Sequence, residues 1–531
     1  MKAITVPFKT TGFFSKTMTD YLDRDPKTTP FYHRFPELAN FRAQIDEKQA
    51  SFSPDTRAVL VKALEGQYQT TTVSAATREH LSKLANPTTF TVTTGHQLNL
   101  FTGPLYFLYK IINAINLAEE LAQQFPEYHF VPVYWMATED HDFEEINYFN
   151  FKGKKVTWNT GQTGPVGRFS TEGLDEVASI FAEHLGTSKN ARALKELFHK
   201  AYAEKATLAE ATRFLANELF GEEGLVIVDG DDSALKGLFR PYVQDELEQQ
   251  LSHHKVQETI AALEASYKVQ VNPREINLFF IKNGLRERIV LEENVYRVLH
   301  TDWRWNKEEL LAHLEAHPED FSPNVIMRPL YQEVILPNLC YIGGGGELAY
   351  WFQLKAYFEA VGVPFPMLLL RNSVQVMTQK QEEKLQKLNI STEELFLNQH
   401  ELVKKKVEEQ AVVSYDFAQQ RATLQEQFAT LAQLAKQTDV SFVGAVEAQE
   451  KKQLKGLAML EKRMLRAEKR NQSDRVQRIQ SIQDALLPNQ SLEERQRNFS
   501  EYYLAYGPEF ISTLKKELAP LSLAFTVLVL E

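Results

Sequence analysis

Four ionisable residues stand side by side at Glu139-Asp140-His141-Asp142. Three carboxylates and an imidazole cannot all be buried cheaply, so they are exposed, mutually paired or kept for function. Crowding pushes one carboxyl pKa upward, which suits a general base near neutral pH. The same groups could ligate a metal or form a solvated loop, but no His-x-x-x-His spacing or nearby cysteine supports a metal. Catalysis or substrate binding is therefore the reading for Glu139, Asp140, His141 and Asp142, with no metal ligand assigned.

Two glycine turns are the other candidates. In Thr94-Gly95-His96-Gln97, with Gly103-Pro104 beyond, small residues let the backbone approach an anion. The following helix offers unpaired amides, and His96 and Gln97 offer donors. An ordinary strand-helix turn is the alternative. Gly343-Gly344-Gly345-Gly346 allows a flat ring or phosphate against the main chain, with Glu347 set to accept sugar hydroxyls. A flexible loop with a capping acid is the alternative there. Arg328 and Arg371-Asn372 could clamp a carboxylate or phosphate, as structural ion pairs also would; Glu333 is grouped with them. Cys340, the single cysteine, sits in an apolar strand and reads as an inert buried thiol.

The elements that must position these residues follow from the apolar pattern. Strands are expected at Phe90–Thr94, Phe130–Ala137, Gly224–Val228, Leu339–Ile342 and Pro366–Leu370, each ending in glycine or polar residues. A helix with Leu105, Leu108, Ile111, Ile112, Ile115 and Leu117 on one stripe follows the first. Alternation of this kind predicts an α/β, Rossmann-like, doubly wound parallel sheet, which binds ligands at its carboxyl strand ends. Residues 1–86 are expected to be helical, with Asp55 as a cap, and 87–373 to form the core. Insertions are expected at about 150–222 and 233–316, the latter with a small antiparallel meander. Heptad-like apolar residues (Phe417, Leu424, Phe428, Leu431, Leu434; Val446, Leu457, Leu460, Met464, Ala467) make 374–490 an antiparallel coiled-coil hairpin turning near Thr438-Asp439. Residues 491–531 should pack back on the core.

The net charge of −11 argues against a nucleic-acid partner. Met1 to Tyr21 lacks the apolar core of a secretory signal, and the longest apolar run, Leu521 to Leu530, is about half a membrane span. A cytoplasmic protein without a membrane partner is the expectation.

Together these motifs resemble the cysteine-adding enzymes of bacillithiol synthesis, the BshC family, along nearly the whole chain. The carriers are Thr94-Gly95-His96-Gln97 with Leu100 to Tyr106, Glu139 to Asp142 with Glu145-Ile146-Asn147, and Phe321 to Val325. Arg328-Pro329-Leu330, Gln332-Glu333, Gly346-Glu347, Tyr350-Trp351, Tyr502-Tyr503 and Tyr506-Gly507-Pro508 complete the set. Family members usually show Gly-Gln-Gln where this chain has Gly95-His96-Gln97. The resemblance implies a ligase that joins L-cysteine to glucosaminyl-malate as an amide, through a cysteinyl-adenylate made from ATP, in a homodimer held by the coiled coil. It implies ATP across Thr94, Gly95, Gly103 and Pro104 and across Gly344, Gly345, Gly346 and Glu347. Substrate contacts would fall to Gln97, Tyr106, Arg328, Glu333, Trp351, Arg371 and Asn372, and catalysis to Asp140, His141, Asp142, Glu139 and His96. Whether a metal takes part is left open. The core is also distantly similar to class I aminoacyl-tRNA synthetases, although Arg371-Asn372-Ser373 stands where their lysine-rich loop would fall. A nucleotide-binding coiled-coil scaffold without ligase activity is the competing reading.

Overall fold

The computed structural model describes residues 2–410 and 417–531; residues 411–416 of the expected hairpin segment lie outside them. The core is a five-stranded parallel sheet of β1 (Thr89–His96), β2 (His129–Met136), β3 (Val226–Asp229), β4 (Asn338–Gly343) and β5 (Met367–Leu370). Its spatial order is 3-2-1-4-5, and every neighbouring pair is parallel. The order reverses between β1 and β4, the point where open α/β sheets leave a crevice beyond their carboxyl ends. The expected Rossmann-like fold is present. Apolar side chains leave both faces, Val92, Ile342 and Leu369 meeting Leu117 of the following helix in one cluster and Val133, Trp135 and Val228 in another.

Helix α1 (Tyr106–Gln124) returns from β1 to β2 and buries Phe107, Leu108, Ile111, Ile112 and Ile115. It begins two residues after Pro104, so that proline precedes the helix and does not open it. The turn between them is strained: Phe101 and Thr102 have φ of 48° and 69°, a region side chains rarely adopt. Helices α2 (Arg328–Ile335) and α3 (Gly345–Trp351) flank β4. The insertion after β3 carries an antiparallel sheet of five strands, including Leu278–Lys282, Leu285–Glu292 and Phe321–Pro323, which stands over the carboxyl ends.

Several local expectations need correcting. Lys2–Val6 is a strand, not helix, and pairs antiparallel with Phe525–Leu530. Val374–Thr378 adds to the other side of Phe525–Leu530 in parallel, so this segment is sheet and not the start of a polar helix. Ser53, not Asp55, caps its helix, accepting the Thr56 N–H. The hairpin is formed by α4 (Ala418–Thr438) and α5 (Ser441–Asn471), tied by a two-pronged Arg421–Glu461 pair at 2.8 and 2.9 Å. Leu434 and Leu460 of its heptads stay 53% exposed, so the pair does not cover its own apolar seam. No helix among the described residues is long and apolar enough to cross a membrane.

The chain leaving the hairpin through α6 (Ser473–Leu486) reaches Glu493 and Glu494, both buried. Glu493 accepts the Val376 N–H and, at 2.7 Å, the Tyr502 hydroxyl. Burial, opposed by Arg497, pushes its carboxyl from 4.5 up to about 7. The folded state thus holds this proton more tightly than the unfolded one, so its contribution is full below pH 4.5 and is lost as pH rises to about 7. Glu493→Gln, which mimics the protonated acid, is expected to match the parent at pH 4 and to exceed it by about 3 kcal/mol above pH 7. Urea midpoints across that range check this; curves that track each other throughout would overturn it.

Candidate functional site

A cleft of about 780 Å³ opens at the carboxyl ends of the sheet strands, beneath the antiparallel insertion. Strand β1 runs two residues further than expected and delivers Gly95 and His96 to it. A Cβ on Gly95 would stand 3.2 Å from the Tyr341 hydroxyl, a tight contact that the tyrosine would have to relieve by moving a few tenths of an ångström. His96 is buried, packed against Tyr106 and Phe107, and its Nε2 has no hydrogen-bond partner among the described residues. Burial, together with the Lys110 and Arg371 charges, holds its pKa well below 6.5, so the imidazole is neutral.

The four-residue knot after β2 is divided by the fold. Glu139 turns inward, with Lys236 Nζ 2.9 Å away, and Lys236 also reaches Asp231 at 3.0 Å. Burial, countered by Lys236, raises the Glu139 carboxyl. The upward shift expected from crowding thus falls on Glu139 and comes from burial, and this side chain serves a buried ion pair. Asp140, His141 and Asp142 remain toward solvent at the cleft wall, their ligating atoms within 4.8 Å of one another. Gln97 Nε2 donates to Asp140 at 3.0 Å and to Glu145 at 2.9 Å, and the His141 N–H donates to Asp140 at 2.7 Å. Arg286 Nη1 stands 2.7 Å from His141 Nδ1, a fixed cation where a metal ion would compete.

The second glycine turn is filled by the protein itself. A Cβ on Gly343 would meet Tyr341, Glu347 and Leu348 at 3.0–3.2 Å, and one on Gly345 would meet Met18 at 3.0 Å. Glu347 accepts the Gly344 N–H at 2.7 Å and the Tyr341 hydroxyl at 2.9 Å, and pairs with Lys110 at 2.6 Å. Burial alone would raise its carboxyl, but Lys110 and these donors hold it below the usual range. Glu347 is therefore a cap and an ion-pair partner, with its oxygens engaged before any sugar hydroxyl arrives. Of the four glycines only Gly346 lines the cleft.

Other expected contacts are placed elsewhere. Glu333 is buried at the amino end of β4, where Asn338 and Gln332 donate to it at 2.7 and 2.9 Å and Lys48 lies 3.3 Å away. Asn338 in turn accepts the Thr93 hydroxyl at 2.8 Å, so Glu333 finishes a polar chain inside the sheet. Trp351 is fully buried and stacks behind Tyr341 with centroids 4.6 Å apart. Asn372 donates to Ala519 O at 3.0 Å and Thr94 to Ile342 O at 2.8 Å, both as internal ties. Gly103 carries φ of 66° and its carbonyl accepts from Asn498 at 2.6 Å, while Pro104 precedes α1; neither lines the cleft. Tyr106, Arg328 and Arg371 do line it. Arg371 is held by Glu494 at 2.7 and 3.1 Å and lies 4.9 Å from the Tyr106 ring.

The cleft's cations were mostly missed in the sequence. Arg274, Arg286, Arg288, Arg328 and Arg495 line it, and none is paired with a carboxylate of a described residue. Among the described residues Arg328 is hydrogen-bonded to Gln332 and Tyr350, each at 3.2 Å. Arg286 is bonded to His141, Ser322 and the Pro323 carbonyl, and lies over the Phe279 ring. Lys110, the one lysine of α1, also lines the cleft and donates to Gly95 O at 2.6 Å. Arginines without carboxylate partners, sharing the cleft with Asp140 and Asp142, suit a ligand with several oxyanions and an amine.

Two family models match: "Bacillithiol biosynthesis BshC, N-terminal Rossmann-like domain" over residues 1–372 and "Bacillithiol biosynthesis BshC, C-terminal coiled-coil domain" over 374–530. A protein of Flavobacterium johnsoniae is 55% identical over 523 residues, covering 98% of this chain and 99% of its own. One of Christiangramia forsetii is 54% identical over 529 residues, with 98% of each chain covered. One of Cytophaga hutchinsonii is 40% identical over 509 residues, with 96% and 95% covered. All three are named "Putative cysteine ligase BshC".

Proposed function

This chain belongs to the BshC family of bacillithiol biosynthesis, and on that premise we propose that it joins the carboxyl of L-cysteine to the amine of glucosaminyl-malate, forming an amide. The observation that carries the reading is the set of arginines without carboxylate partners that share one cleft with Asp140 and Asp142. Malate brings two carboxylates and a nucleotide brings phosphates; both are recognised by guanidinium groups through charge-assisted hydrogen bonds. The acids suit the two amines, the ammonium of cysteine and the attacking amine of the sugar.

Condensing a carboxylate with an amine in water is uphill, so the carboxyl must be activated. ATP, in this reading, supplies that activation by turning the cysteine carboxylate into an acyl-adenylate with loss of pyrophosphate. The Gly344 N–H, just before α3, is already taken by Glu347, so in this reading the phosphates fall to the arginines and not to the glycine turn. The amine then attacks the carbonyl, the former carboxylate oxygen leaves with AMP, and Asp140 takes the proton released from nitrogen. Gln97 and the His141 N–H hold that carboxylate in place, and the closed-over insertion orients two bound substrates, which itself accounts for much of the rate gain. The neutral His96 offers Nε2 as an acceptor at the cleft floor.

The reaction is tested with purified protein, L-cysteine and glucosaminyl-malate, with and without ATP, followed by product mass. An amide product that requires ATP is the expected result. No product under any nucleotide condition removes the ligase reading for this chain.

A further inference from the structure

The family models divide the chain at residue 373, and the cleft looks at first like the property of the Rossmann-like part. One lining residue lies far beyond that boundary. Arg495 sits in a short turn of 3-10 helix, Glu493–Arg495, after the coiled-coil hairpin. The strap around it, residues 493–498, is fastened on both sides. On one side Glu494 grips Arg371 and accepts the Val374 N–H at 3.1 Å, while Glu493 holds Val376 and Tyr502. On the other, Arg497 O accepts the Leu105 N–H at 2.8 Å, and Asn498 donates to the carbonyls of Phe101 and Gly103 at 2.8 and 2.6 Å. These last bonds hold the strained turn between β1 and α1.

Between two buried fastenings, Arg495 alone is exposed, and its guanidinium has no partner among the described residues. A second donor lines the same cleft. Arg371 is 3% exposed, lines the cleft, and has an Nε without an acceptor. Its other two nitrogens are fixed by Glu494, so Nε has little freedom to find another partner. The Tyr106 ring lies 4.9 Å from the Arg371 guanidinium, and its hydroxyl feels the charges of both arginines. A guanidinium set in place by a rigid strap, sharing a cleft with a buried donor with nothing to donate to, is a receptor for an oxyanion.

We propose that Arg495 binds an oxyanion of the substrate, carboxylate or phosphate, together with Arg371 Nε, and that the strap 493–498 thereby completes the cleft from the coiled-coil side. Glu494 is a positioning residue that aims Arg371. The ligase reading enters only in saying which anion matters for turnover.

The test is calorimetric titration of the full-length protein with L-malate and, separately, with ATP. The parent is expected to bind at least one of them, Arg495→Ala to bind it about 10- to 100-fold more weakly, and Arg495→Lys to fall between the two. The probe whose affinity drops identifies the anion as carboxylate or phosphate. Because Arg495 is exposed and unpartnered, the thermal midpoint of both variants should stay with the parent, which separates lost binding from lost folding. Unchanged affinity for both probes in Arg495→Ala, or no binding of either by the parent, overturns the proposal. Arg495-dependent binding without any amide product would leave it standing and remove the ligase reading alone.

Discussion

Glu494→Ala is expected to lower the unfolding free energy by about 3–5 kcal/mol, the usual result of stripping one partner from a buried charge pair. Arg371 and Glu494 are 4% and 0% exposed at the side chain, and the acid also accepts the Val374 N–H. The substitution strands a buried guanidinium whose charge Glu494 now offsets. Removing both charges together, as Arg371→Met with Glu494→Leu, should recover most of the loss, because the pair's attraction largely offsets its own desolvation. Denaturant midpoints at constant slope, taken for both singles and the double, measure this. A single-variant loss below about 1 kcal/mol would mean that the pair behaves as a solvent-screened surface contact.

Asp140→Asn is expected to slow amide formation by about 10²- to 10⁴-fold, the range for removing a general base. The substitution keeps an oxygen for the His141 N–H and changes little of the packing, so thermal stability should hold. Glu139→Gln is the informative control. Its carboxylate faces Lys236, not the substrates, so it should cost stability while leaving the chemical step nearly intact. Single-turnover rates measured against pH distinguish the two, since loss of a base also removes the acid limb of the profile. If Asp140→Asn turns over within about threefold of the parent, Asp140 is not the base, and the proton goes to another group.

The sheet was legible because its strands are apolar runs ending in polar residues, and their alternation with helices leaves few topologies. The Asp140–Asp142 cluster and Gly95-His96 were readable for the same reason: strand ends in such a sheet converge on one edge. Glu333 and Trp351 were misplaced because sequence adjacency to a motif says nothing about direction. Helix α2 starts at Arg328 by the cleft and descends to meet β4 at Asn338; five residues at 1.5 Å each carry Glu333 about 7.5 Å away from that edge. Trp351 is displaced in the same way along α3. Arg274, Arg286 and Arg288 were invisible because an antiparallel insertion must first fold across the strand ends. Arg495 required a contact across more than a hundred residues of coiled coil. Lys110 could have been found, since a single cation on an apolar helix face must have a buried partner. The glycine turn was misjudged because the sequence could not show that Tyr341, Glu347 and Met18 would occupy the space it leaves.

The small sheet that joins Lys2–Val6 to Phe525–Leu530 has a consequence for how the protein is made. The early strand cannot pair until residues more than 500 positions later have left the ribosome. Val374–Thr378 waits for the same partner. Throughout synthesis both therefore present open edges, the kind of surface on which strands of neighbouring chains add. Contacts this distant in sequence also form slowly. Both edges stay open until Phe525–Leu530 arrives to join them.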